Sequence, residues 1–224
     1  LEDIADSIRA KNGSSNTYRP SQMASAIDDI PELNQTTVLQ WSLNNKTDYT
    51  GLASGLTALT QLPTFTQPQN VNNYSYLFYG CSSLNNLTGI NLTGSLFDST
   101  FNGCSSLTAA SVTLKSGLSK YSLRNSFNSC SSLSSATIIN SGSTAVNPTF
   151  EDTFYGCSSL STVTFSGNIV IRNDNISPKG MFFNCSALTS LPNYTLDTSN
   201  SSGVHNFTDS FMNCSSLTTV SGSQ

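Results

Sequence analysis

The chain has 224 residues and a net charge of −4, enough length for one sizeable domain or two small ones. Charged residues make up 10% of it, against roughly 25% in ordinary soluble domains, so hydroxyl and amide side chains must wet the surface. That balance excludes an electrostatic footprint for nucleic acid and a basic patch for anionic lipid. No apolar run approaches the ~20 residues of a membrane-spanning helix.

In chain order, Leu1, Ile4, Ala5 and Ile8 share one helical face that should stop near Asn12-Gly13. Ser21 stands at an N-cap position beyond Pro20, and Met23, Ile27 and Ile30 share a second face before Pro31. Residues 1–35 are therefore expected to form a small helix-loop-helix, too short to be stable alone, that caps a larger body or attaches it to another chain. Over residues 36–50, Thr37, Leu39, Trp41 and Leu43 alternate with Thr36, Val38, Gln40 and Ser42, which predicts a capping strand. The chain opens at Leu1 and closes in mid-phrase at Ser221-Gly-Ser-Gln224, as expected of a fragment or processed form.

Residues 51–224 carry a phrase that recurs six times, from Phe78-Tyr-Gly-Cys81-Ser-Ser-Leu84 to Phe211-Met-Asn-Cys214-Ser-Ser-Leu217. Leu56 occupies the cysteine position of an earlier, seventh phrase, and the steps between phrases are 25, 23, 26, 27, 28 and 29 residues. A period of this size predicts a stacked solenoid. Below, the cysteine position is numbered 0 and its neighbours by offset. Position −3 holds Ala53, Phe78, Phe101, Phe127, Phe154, Phe182 and Phe211. Position 0 holds Leu56, Cys81, Cys104, Cys130, Cys157, Cys185 and Cys214, and position +3 holds Leu59, Leu84, Leu107, Leu133, Leu160, Leu188 and Leu217.

Three-residue spacing places these side chains on one side of a short 3₁₀ or α turn. Position +6 then opens into strands such as Val163-Thr-Phe165. The expected fold is an α+β repeat: a solenoid of about seven coils, each a helical turn plus a strand, with the phenylalanine, cysteine and leucine columns as its core ladder. Unequal steps fall to polar, flexible loops such as Ser141–Glu151 and Asp197–Thr208.

Six cysteines admit a disulfide framework, a metal site, or a core ladder of small adaptable hydrophobes. Their equivalent places, spread along a line, fit neither disulfide torsions nor convergent ligands, and Leu56 in the same column supports the core. The serines after each cysteine lack a histidine partner and read as caps on local backbone groups. His205 is the only histidine, in an expected loop, and Glu151-Asp152 is the only acidic pair of the repeats. Neighbouring carboxylates do not face one another as glycoside hydrolysis requires. No phosphate loop or calcium repeat is present, so no enzyme, cofactor or metal is expected. Position −2 follows each inward phenylalanine and should face outward. Its Tyr79, Tyr155, Phe183 and Met212 are the candidate binding residues, alongside Asn102 and Asn128.

The Phe-x-x-Cys-Ser-Ser-Leu-Thr columns resemble the leucine-rich repeats of BspA-like bacterial surface proteins, also called Treponema-type repeats. The resemblance covers about residues 51–220 and departs from the pattern in irregular repeat lengths and in a first coil without Phe or Cys. It implies a secreted or surface-displayed adhesin that binds other cells or host components. The head, Ile4-Ala-Asp-Ser-Ile8-Arg-Ala-Lys-Asn-Gly13 with Pro20-Ser-Gln-Met23-Ala-Ser-Ala-Ile27, resembles tail-fibre-associated segments of phages and prophages of Gram-positive bacteria. That implies attachment to a larger assembly through residues 1–35. The expected function is non-enzymatic extracellular recognition of a cell-surface glycan or protein, as adhesin or fibre tip on a cell or virion. Neither nucleic acid nor membrane insertion enters this reading. The alternative is a structural spacer or self-associating fibre segment without a ligand.

Overall fold

The computed structural model describes residues 35–46, 48–62, 65–66, 68, 70–87, 91–171, 178–196 and 206–219. Residues 1–34 of the helix-loop-helix expected over 1–35, and His205, lie outside them. Where the alternation predicts a capping strand, the chain instead forms helix α1, Gln35–Asn45. The same spacing serves both readings, because Leu39 and Leu43 alternate with polar residues and also stand one helical turn apart. Both are buried in the core, and no strand among the described residues pairs with this segment, so only the helix satisfies its own backbone. Its last turn is closed by Lys46 N–H to Ser42 O at 2.9 Å. The Tyr49 hydroxyl donates to the Leu43 carbonyl, which the helix end would otherwise leave open.

The repeated phrase folds as a succession of tight turns, not as a helical turn. In the Cys81 phrase, the amides of Leu77, Tyr79 and Cys81 donate to the carbonyls of Tyr74, Tyr76 and Phe78, each three residues back, at 3.0–3.1 Å. The alternate amides, of Tyr76, Phe78 and Gly80, leave the phrase and donate to Asp98, Thr100 and Asn102 of the next one at 2.8–2.9 Å. With every second N–H spent on its neighbour, no i→i−4 ladder propagates. Positive φ enforces the pattern. Position −5 (Gly51, Tyr76, Ser99, Asn125, Asp152, Gly180, Asp209) and position −1 (Gly55, Gly80, Gly103, Ser129, Gly156, Asn184, Asn213) all lie at φ +50° to +77°. A left-handed residue twice per phrase interrupts any right-handed helix.

Strands follow the turns. β1 (Leu92–Gly94), β2 (Ala109–Leu114), β3 (Ser135–Asn140) and β4 (Thr162–Ser166) form one parallel sheet in sequence order. β5 (Val170–Ile171) and β6 (Thr195–Leu196) form a second, two-stranded one. Register stacks Ala110 on Ala136 on Val163, and Val112 on Ile138 on Phe165. The expected α+β array of about seven helical-turn coils is thereby corrected to a β-solenoid. Its strand-bearing part makes about three turns, and α1 is the one helix among the described residues. The reason is the backbone accounting above: amides that would build helical turns join neighbouring phrases instead. The loop expected to be polar and flexible at Ser141–Glu151 also contributes Val146 and Phe150 to the core. Asn140 ties it down, donating to Thr144 O and Asn168 O at 2.8 Å each.

Candidate recognition surface

The turn side is positioned from within by stacked rings. Phe78, Phe101, Phe127, Phe154 and Phe182 are buried, with successive ring centroids 5.3–5.5 Å apart and planes within 22°. Position −7 adds a second buried column that the phrase did not disclose: Tyr49, Tyr74, Phe97, Leu123 and Phe150, with Tyr74 stacked on Phe97 at 5.1 Å. The end phrase differs. Phe211, Cys214 and Leu217, expected in the core ladder, are only partly buried, because no described phrase follows to cover them.

The cysteines are free, and among the described residues no group of three His, Cys, Asp or Glu is placed to hold a metal. They are more than apolar filler. Each thiol donates to the position −3 carbonyl of the preceding phrase, from Cys81 Sγ–Ala53 O at 3.0 Å to Cys214 Sγ–Phe182 O at 3.0 Å. Burial pushes the Cys81 thiol up to about 11 and that of Cys157 to about 12, and it raises Cys104, Cys130 and Cys185 too. These are inert, protonated donors rather than nucleophiles. Leu56 occupies the same column in the first phrase of the described residues, where no described phrase precedes it to supply a carbonyl.

Hydroxyls repeat this logic. At position −4, Thr100, Ser126 and Thr153 donate to Tyr74 O, Phe97 O and Leu123 O at 2.5–2.9 Å. The serines after each cysteine, expected to cap local backbone, also reach the preceding phrase. Ser186 Oγ, for example, donates to Ser158 O at 3.1 Å.

On this frame position −2 forms an outward column. Tyr79 is 44% and Met212 50% exposed, while Tyr155 and Phe183 are half-buried and stack on each other at 4.4 Å with planes 6° apart. Asn102 and Asn128 lie between Tyr79 and that pair. Tyr76, which is not among the residues expected at position −2, is 48% exposed and 5.9 Å from the Tyr79 ring. Its φ of 59° is a strained backbone for an aromatic residue. The available signal was that position −5 otherwise takes Gly, Ser, Asn or Asp.

Beside this column runs a line of charges at position −6: Asp98, Arg124, Glu151 and Lys179, alternating in sign. Arg124 Nε meets Glu151 Oε2 at 2.8 Å, with the arginine side chain 56% and the glutamate 13% exposed. The Asp152 carboxylate lies over the α-carbon of Gly180, beside the Tyr155 ring. Burial and then the Glu151 carboxylate raise its pKa, and Lys179 and Arg124 pull it down. The pair Glu151-Asp152 is thus committed to the junction between phrases.

This arrangement offers a rigid, outward, aromatic and amide-bearing rim. No helix among the described residues is long and apolar enough to cross a membrane. No curated protein matches the chain, and no solved structure does. The model of the BspA type leucine rich repeat region matches residues 72–218, in six copies, about two thirds of the sequence. The chain therefore belongs to the BspA-type leucine-rich-repeat family.

Proposed function

We propose that the protein is a non-enzymatic recognition module, displayed outside a cell, that binds a protein on another surface through its turn-side rim. The observation that carries this is the rim itself: exposed Tyr76, Tyr79 and Met212 and the stacked Tyr155–Phe183 pair, held on a backbone tied to its neighbours by three amide bonds per junction. Rigid aromatic area costs little entropy to bind with. Membership of an adhesin-like repeat family is in keeping with this role. Between protein and glycan the ring geometry favours protein. Tyr155 and Phe183 each spend one ring face on the other, which reduces the open aromatic face against which a sugar ring lies best.

Residues 1–35 are proposed to attach the array to a larger assembly, following the head's resemblance to fibre-associated segments, and α1 to cap the first phrase, where it buries Leu39 and Leu43 beside Tyr49 and Ala53. The test is binding of the labelled chain to intact bacterial strains, animal cells and immobilised matrix proteins. It is compared with a variant carrying Tyr79→Ser, Tyr155→Ser, Phe183→Ser and Met212→Ser. Binding by the native chain that falls at least about tenfold in the variant supports the reading. Uniform absence of binding by folded chain would leave only the spacer role.

A further inference from the structure

We propose that the patch formed by Arg124, Tyr155, Lys179 and Phe183 binds a carboxylate-rich polypeptide segment, an inference that rests on the recognition reading above. The chain as a whole is acidic, with net charge −4 and pI near 4.7, yet this part of the rim turns its positive groups outward. Arg124 is more than half exposed and Lys179 is exposed, whereas Glu151 is largely covered and Asp152 is folded over Gly180. Alternating formal charge along position −6 therefore becomes a cationic surface.

Two features aim that surface at carboxylates. The contact with Glu151 engages Arg124 through Nε, and the two Nη nitrogens at the other end of the fork match a bidentate carboxylate. The Tyr155 and Phe183 rings stack within 6° of parallel, so each spends one face on the other and their electropositive edges run side by side along the stack. Arg124 and Lys179 stand two phrases apart at position −6, and both act on the Asp152 carboxylate, which lies over Gly180 beside the Tyr155 ring, so the two cations and the stacked ring pair belong to one part of the rim. Successive phrases advance by about 4.8 Å, the spacing of paired strands, so an extended acidic segment laid along the axis meets the rim in repeating steps. A polyanionic sugar would share the charge but leave the ring edges without a matching chain of spaced carboxylates and apolar side chains.

The experiment uses the full chain with a labelled oligo-glutamate peptide and, separately, oligogalacturonate of equal charge, at low and physiological salt. Oligo-glutamate should bind, weaken as salt rises, and lose about tenfold or more in affinity with Arg124→Gln plus Lys179→Ser. Phe183→Ser should weaken it as well, and Tyr79→Ser should not. Lys179→Ser alone, at an exposed position, serves where the double variant fails to fold. No peptide binding at low salt, binding unchanged in the variants, or tighter binding of oligogalacturonate would overturn the proposal. Rim-dependent binding of cells or matrix proteins together with indifference to oligo-glutamate would sink this inference alone. Cell binding that ignores the four rim substitutions would sink the recognition reading, whatever the peptide does.

Discussion

Across the junctions from Gly51 to Met212 the turn side repeats the same three amide bonds, the same thiol bond and the same left-handed residues. The sheet side has strands of two to six residues and divides into two sheets. Both sides stack the same phrases, so the difference lies in what sets their register. A turn whose amides alternate between its own carbonyls and the neighbour's admits one length. A strand followed by a loop admits many, and the drift in step from 23 to 29 residues is absorbed there. A uniform frame suits repeated contacts along an axis, which is why the turn side is the better candidate for recognition.

The comparison breaks most readily in the ring stack. Phe127→Ala removes a ring packed on both sides and should cost about 3–5 kcal/mol. Phe211→Ala, at the partly covered end, should cost less than half of that by urea unfolding. Equal losses would mean that the interior and end phrases are held alike. Next in size is the thiol column. Cys130 donates to Phe101 O at 3.0 Å, so Cys130→Ser keeps a donor where Cys130→Ala removes it. The alanine variant should be the less stable, by about 1 kcal/mol or more. The reverse order would show the thiol acting as apolar filler only.

Relief of strain sharpens the comparison by a smaller amount. Tyr76→Asn should stabilise the fold by about 1 kcal/mol, since asparagine tolerates the left-handed region, while weakening any contact made through the rim. The smallest effect concerns Asp152. Its raised pKa means that the folded state holds the proton more tightly than the unfolded state. Its contribution therefore falls as pH rises from about 3.9 through the folded pKa, and stays low above it. Asp152→Asn should raise the Tm slightly at pH 7, and the gain should fade toward pH 3.

Much of this was legible in the sequence. The Phe, Cys and Leu columns announced stacking, and the outward run of Tyr79, Tyr155, Phe183 and Met212 was visible as the residue after each phenylalanine. The turn was misread because three-residue spacing is common to a 3₁₀ helix and to successive i→i+3 turns. Only the Gly, Asn, Asp and Ser residues at −5 and −1 separate the two. The position −7 core column was hidden by its changing chemistry, from tyrosine through phenylalanine to leucine and back to phenylalanine. α1 was hidden because Leu39 and Leu43 satisfy period two and one helical turn equally well. The thiol bonds were not legible at all, since a cysteine that fills space and one that donates leave the same mark in a sequence.

The most direct test of the central claim is a hydrogen-exchange footprint of the chain with and without a bound cell-surface or matrix protein. New protection is expected over residues 76–79, 124–128, 151–155 and 179–183 on the turn side, with β2, β3 and β4 unchanged. Protection confined to Ala109–Leu114, Ser135–Asn140 and Thr162–Ser166 would place recognition on the sheet and contradict it.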